Sequence, residues 1–334
     1  MAEHKPYSPA PWRRADRQVD TLVLSSWLAV LLVVFALLRP PAPLEAPHLR
    51  TVSIEAAPAA TRAGPDFYPW VRPGTQAAAI PGQPAWTPPP KPSLGGFFTR
   101  LDAPLTDNVF RASDHGNANT FYGGDWIPQN IAARDGGAFL EVRRQPRSGM
   151  PYTAAEMQSG QKYQYGRYEA ILQPAQGSGL VTAFFTYTGP WFGDPHDEID
   201  IEFLGSDTTK VHFNYFRKGK SIKPASFDLP FDAGERPHLY AFEWRPDSVT
   251  WFVDDVPYYA TEAGDPGVPV SAGKVMFSVW TGKKSMEGWH GPPLFHDGAG
   301  AQFNCVSFTP AGHDTQSCGD LYRAGGGSRQ TGTH

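Results

Sequence analysis

Glu198, Asp200 and Glu202 occupy alternate positions of the run Glu198-Ile199-Asp200-Ile201-Glu202. Acidic residues alternating with β-branched ones are the pattern of a half-buried strand. Positions two apart on a strand share a face. The three carboxylates therefore project together, and Ile199, Ile201 and Phe203 project the other way, into a core. A solvent-facing acidic strand is the plain alternative, but exposed faces mix charges because like charges in a row weaken a sheet. Three acids with no basic residue among them carry a cost, and such costs cluster at functional sites. At ~3.3 Å per residue the outer Cα atoms stand about 13 Å apart. With each Glu leaning inward by roughly 3.5–4 Å, the outer carboxyl groups come within about 5–6 Å. That is near the ~5–5.5 Å of retaining glycosidases, provided that no bulge interrupts the strand. Crowded carboxyls cannot all ionise cheaply, so at least one pKa must rise. The raised group can then protonate a leaving oxygen beside an anionic partner. Spacing alone does not say which Glu takes which part.

The elements that must position these acids are short apolar segments separated by Gly, Pro, Asp and Asn, with almost no helical periodicity. Residues 139–143, 168–172, 181–186, 211–215, 238–244, 249–253 and 275–280 read as strands, and Arg245-Pro246-Asp247-Ser248 reads as a hairpin turn. Many short strands with turn signals mean an all-β sandwich or barrel. The chain's 334 residues leave room for one domain of about 200–250 residues plus extensions. The net charge of -4 and the absence of a basic stripe exclude a nucleic-acid partner. Aromatic residues make up 13% of the chain, which suits a sandwich core and does not by itself imply sugar binding.

The N-terminus divides into three parts. Residues 1–20 are polar and include Arg13, Arg14 and Arg17; residues 21–38 are apolar; residues 39–93 are dense in Pro and Ala. The apolar run is just long enough to span a membrane, and no small-residue cleavage site follows it directly. The basic flank places the N-terminus inside. The expectation is an uncleaved transmembrane signal-anchor in the inner membrane, with residues 94–323 as a periplasmic catalytic domain. A cleaved signal peptide and a secreted enzyme form the alternative. Residues 39–93 read as an extended linker, and residues 324–334 as a Gly- and Ser-rich disordered tail. Cys305 and Cys318 lack metal-ligand spacing; an oxidising compartment would pair them, and two buried thiols are the other reading.

The segment Asp197-Glu198-Ile199-Asp200-Ile201-Glu202-Phe203-Leu204-Gly205 resembles the active-site strand of family 16 glycoside hydrolases, the lichenase (β-1,3-1,4-glucanase) branch and its relatives that trim bacterial exopolysaccharides. Residues 165–169, 184–190, 210–215, 240–244 and 279–282 resemble further family segments in the same order. The uninterrupted motif is similar to that of lichenases and plant xyloglucan enzymes. The resemblance implies a concanavalin A-like jelly-roll β-sandwich whose concave sheet carries the cleft. It implies Glu198 as nucleophile, Glu202 as acid/base and Asp200 as the group that tunes their protons. It also implies substrate contacts from Glu156, Asn214, Trp280, Trp289, Tyr187 and His196, with Tyr163 a further candidate.

Four positions depart from the lichenase pattern. His196 stands where lichenases have Trp, Gln158 replaces an Arg, Phe216 a Tyr and Ser278 an Asn. The catalytic set is intact and the glucan-gripping set is altered. The expected activity is therefore endo-acting, retaining hydrolysis of a β-linked glucan or a bacterial exopolysaccharide. A transglycosylase and a non-catalytic carbohydrate-binding module remain as alternatives. No cofactor is required by this reading. The structural calcium of many relatives stays open, because Asn304 stands where an Asp ligand is common.

Overall fold

A computed structural model describes residues 95–102, 109–117 and 120–326. The expected anchor at 21–38, the linker and the last eight residues lie outside the described residues. Among the described residues no helix is long and apolar enough to cross a membrane.

In chain order the strands are β1 Phe97–Arg100, β2 Phe110–Ala112, β3 Gly124–Trp126, β4 Ile131–Arg134, β5 Gly137–Val142, β6 Tyr152–Tyr163, β7 Gly166–Gln173, β8 Leu180–Thr188 and β9 Asp197–Leu204. They continue as β10 Lys210–Arg217, β11 Lys220–Ser221, β12 Ala225–Asp228, β13 His238–Trp244, β14 Val249–Val253, β15 Val256–Ala260, β16 Gly273–Thr281 and β17 Ala299–Pro310. Two antiparallel sheets form. One runs β15-β14-β13-β7-β17-β5-β4 and the other β11-β10-β9-β8-β16-β6-β2. Of the sandwich or barrel expected from the strand pattern, this is the sandwich that the family resemblance implies. The segments at 238–244 and 249–253 coincide with β13 and β14, joined by the expected turn, in which Arg245 N–H donates to Ser248 O.

β9 lies inside the second sheet, between β8 and β10. Ile199, Ile201 and Phe203 are fully buried between the sheets, where Phe203 meets Tyr240 edge-on at 4.8 Å. From the opposite sheet, the Trp251 indole Nε1–H donates to the Asp200 backbone carbonyl at 3.0 Å. The back of the acidic strand is thus held by packing and by a directional bond. Burying each of these large apolar side chains contributes roughly 1.5–3 kcal/mol.

The far face of the first sheet is covered by a helix, Cys318–Ala324, which begins with a capping box between Ser317 and Asp320. Cys305 and Cys318 are joined in a disulfide with Cα atoms 5.8 Å apart, which decides between the two readings of the cysteines. Tyr322, Cys318, Ile171 and Leu239 form a small apolar cluster around it. The bridge closes a loop of 13 residues, a constraint worth about 3 kcal/mol in the chain-entropy account.

Candidate active site

β9 pairs without a register shift across the whole acidic run. Glu198 lies between Tyr187 of β8 and Phe216 of β10, Asp200 between Phe185 and Asn214, and Glu202 between Ala183 and His212. The condition on which the carboxyl spacing rests, a strand without a bulge, is met. The Glu202 row continues through Ala183 to Ser278 of β16 and then Glu156 of β6. Two small side chains therefore floor the face between two carboxylates, leaving room above them.

The electrostatics follow from the absence of a cation within the triad. Burial pushes the Glu202 carboxyl up to about 8, with the charge of Glu198 adding to it. Asp200 rises well above the usual carboxylate range because of its burial, the charges of Glu198 and Glu202, and its own hydrogen bond to Glu198. A protonated Asp200 donates to a Glu198 carboxylate in that arrangement. His196 Nε2 lies 2.5 Å from Glu198 Oε2 on the other side.

Glu156 is 4% exposed and accepts from Ser113 Oγ at 2.6 Å. Burial raises it to about 7, against the Ser113 bond and the Lys274 charge, which lower it. A chain of hydrogen bonds runs from it to a buried cation: Gln158 Nε2 donates to Ser113 Oγ at 2.8 Å, and Lys274 Nζ donates to Gln158 Oε1 at 2.8 Å. Gln158, at the position of the family's Arg, is thus tied into the wall of the site.

A cavity of about 390 Å³, lined in part by Arg134, Phe139 and Gln302, lies against the first sheet and holds none of these acids. The calcium question turns on Asn304. Its Nδ2 donates to the carbonyls of Asp135 and Gly136 at 3.3 and 3.1 Å. Its Oδ1, the atom of this side chain that can ligate a cation, is buried with no hydrogen-bond partner among the described residues.

The pattern of Glycosyl hydrolases family 16 matches residues 119–291, which include every acid of the site. The chain belongs to that family. It is 39% identical over 204 residues to the β-glucanase of Brevibacillus brevis, an alignment that covers 60% of this chain and 76% of the relative. A solved β-1,3-1,4-glucanase (lichenase) from a mouse hindgut metagenome superposes with a TM-score of 0.60 at 36% identity, covering 65% of this chain and all of that one. The Bacillus licheniformis β-glucanase structure matches with a TM-score of 0.60 at 34% identity, over 65% of this chain and 99% of its own. As a family 16 member, the protein is a glycoside hydrolase.

Within this hydrolase the other expected contacts fall unevenly. Asn214 is directly opposite Asp200, where its Oδ1 accepts from Ser221. Tyr187 is half-buried beside Glu198; burial and the charges of Glu198 and Glu156 raise its pKa. Trp280 is 4% exposed, with Phe121, Tyr122 and Trp289 around it, and offers little surface to a sugar. The ring shares the face of Ser278, two residues before it on β16, and the aromatic cluster packs against it there. Trp289 is more open. Tyr163 turns into the core against Phe97 and Phe308.

Tyr122 was not singled out by the sequence reading. Burial raises its pKa well above the usual phenol range, and the charges of Glu156, Glu198 and Glu202 raise it further. Its ring stands edge-on to Trp126 at 4.9 Å and to Trp280 at 5.0 Å. Ser113 and Lys274 were likewise missed. The Phe121-Tyr122-Gly123-Gly124 stretch carries no strand alternation, so no local signal marks it.

Proposed function

We propose that the protein is a retaining endo-β-glucanase in which Glu198 is the nucleophile and Glu202 the acid/base. One observation carries the assignment. Glu198, Asp200 and Glu202 share one face of an unbulged strand, and burial with the charge of Glu198 pushes Glu202 up to about 8. At neutral pH Glu202 then holds a proton for the leaving glycosidic oxygen while Glu198 attacks the anomeric carbon. A glycosyl ester forms on Glu198. Glu202, now anionic, takes a proton from water, which attacks the same carbon and restores Glu198. Asp200 donates to Glu198 and steadies its charge between turnovers. The named activity of relatives at 34–39% identity supports a β-linked glucan as the substrate class.

The altered wall points to a substrate other than plain cereal glucan. Gln158, Phe216, Ser278 and His196 replace residues by which lichenases grip glucose units, which suits a bacterial exopolysaccharide with mixed β-linkages or substituents. The apolar run at 21–38, with Arg13, Arg14 and Arg17 before it, supports a membrane-anchored, periplasmic enzyme on the linker at 39–93.

Azide tests the chemistry. Glu198→Ala supplied with azide is expected to yield a glycosyl azide of inverted anomeric configuration. A product of unchanged configuration, or undiminished hydrolysis by Glu198→Ala without azide, overturns the assignment. Product analysis on a panel of β-glucans and bacterial exopolysaccharides ranks the substrates, and full-length protein that stays in membranes at high salt but dissolves in detergent supports the anchor.

A further inference from the structure

His196 is read from its position as a cleft-lining residue, yet its ring is turned toward Glu198. Nε2 lies 2.5 Å from Glu198 Oε2, with the two side chains 30% and 18% exposed. The imidazole is stacked on Phe216, ring centroids 5.0 Å apart and planes 15° from parallel. Tyr187 stands edge-on to it at 5.2 Å. The His196 backbone carbonyl accepts from Gly219 N–H at 2.8 Å. Phe216 and Tyr187 are the two residues directly beside Glu198 in the sheet. The same two neighbours that flank the carboxylate therefore clamp the imidazole against it.

An ionised carboxylate only accepts, so the short contact requires the proton on Nε2. Asp200 contributes a second donor to Glu198. The carboxylate is then gripped by two donors, and its free lone pair is aimed by both.

We infer that His196 is a positioning residue: it donates Nε2–H to Glu198 and fixes the rotamer from which that carboxylate attacks. The inference rests on Glu198 being the nucleophile. A carboxylate held in one rotamer reaches the near-attack geometry without ordering itself at each turnover, which raises kcat more than it changes KM. An indole at this position has its N–H on a different vertex and cannot reproduce the contact with the ring stacked as it is here.

Kinetics of His196→Phe and His196→Gln on one soluble β-glucan test it. Phe keeps the stack on Phe216 and lacks the donor; Gln carries a donor at about the same distance from the backbone. The expected result is a kcat about tenfold to a hundredfold lower for His196→Phe, a KM within about twofold, and recovery of most of the loss in His196→Gln. The decisive comparison places His196→Phe in the Glu198→Ala background with azide, where no carboxylate remains to position. There the substitution is expected to change the azide-dependent rate by less than about twofold. A raised KM with kcat intact would make the ring a sugar contact and overturn the inference, as would a full loss persisting in the azide reaction. Activity of Glu198→Ala that neither falls nor responds to azide overturns the nucleophile assignment itself, and is read without any change at His196.

Discussion

Glu169 and Asp200 are buried to the same degree, 3% and 4% exposed, and their carboxyl groups are driven in opposite directions. Burial raises both. At Glu169 it is outweighed by Arg167, whose Nε donates at 2.6 Å, and by the Gly319 N–H at 2.9 Å, so the carboxyl ends below its usual range. At Asp200 the neighbours are Glu198 and Glu202, and burial, both charges and the hydrogen bond to Glu198 all push its pKa upward. The difference lies in what is placed beside the acid. On the first sheet a cation turns a buried carboxylate into a structural fastener between β7 and the C-terminal helix. On the second sheet the missing cation leaves protons on acids at neutral pH, as general acid catalysis needs.

The contrast can be broken most sharply at Glu202. Glu202→Gln is expected to lower kcat by about 10²–10⁴ and, at the same time, to raise the urea midpoint. The sign follows from linkage. A carboxyl with a folded pKa near 8 and an ordinary value of 4.5 makes the native state bind more protons than the unfolded chain between those limits. Stability therefore falls as pH rises from about 4.5 through 8, and the gain from Gln should be largest at pH 8 and above and vanish near pH 4. Urea melts at pH 4, 6 and 8 with initial rates on the same samples check both halves; a lower midpoint at pH 8 contradicts the account.

Glu169→Gln should do the reverse. A loss of about 2–3 kcal/mol is expected, below the range for a wholly buried pair because Arg167 keeps Asp255 at 2.8 Å and some contact with water. The Glu169 contribution is present above its ordinary 4.5 and is lost as pH falls through its lower folded value. Specific activity of the folded fraction should not change. Chemical denaturation at pH 7 and pH 3, alongside kcat/KM at pH 7, tests it.

The smallest effect expected is at Asp200. Asp200→Asn keeps a donor for Glu198 but cannot ionise. Turnover should fall by less than for Glu202→Gln, and one limb of the bell-shaped rate profile should shift by up to about one pH unit. A profile superimposable on that of the wild type would make Asp200 a bystander.

The site's centre was legible because a two-residue period places side chains on faces without any knowledge of partners. β9 is an inner strand, so its apolar half was anchored by Ile199, Ile201 and Phe203, and its acids could point only one way. The turn at 245–248 was legible for a similar local reason. β6 was not. Its twelve residues, Tyr152–Tyr163, are rich in Ala and polar groups, and its pairing with β16 shifts register between Lys274 and Met276, so no sustained alternation survives in the sequence. Tyr122, Ser113 and Lys274 gain their roles only when β2, β6 and β16 meet. Tyr122 and Phe121 close over Trp280, and a tryptophan's type says nothing about such neighbours.

Site-resolved titration of the Glu202 carboxyl by carbon-13 NMR, in the wild type and in Glu198→Gln, measures the central claim directly. The account predicts a midpoint of about 8 in the wild type. It predicts a lower midpoint in Glu198→Gln, still above 4.5 because burial, the larger cause, remains. A Glu202 that titrates near 4.5 in both proteins would contradict it.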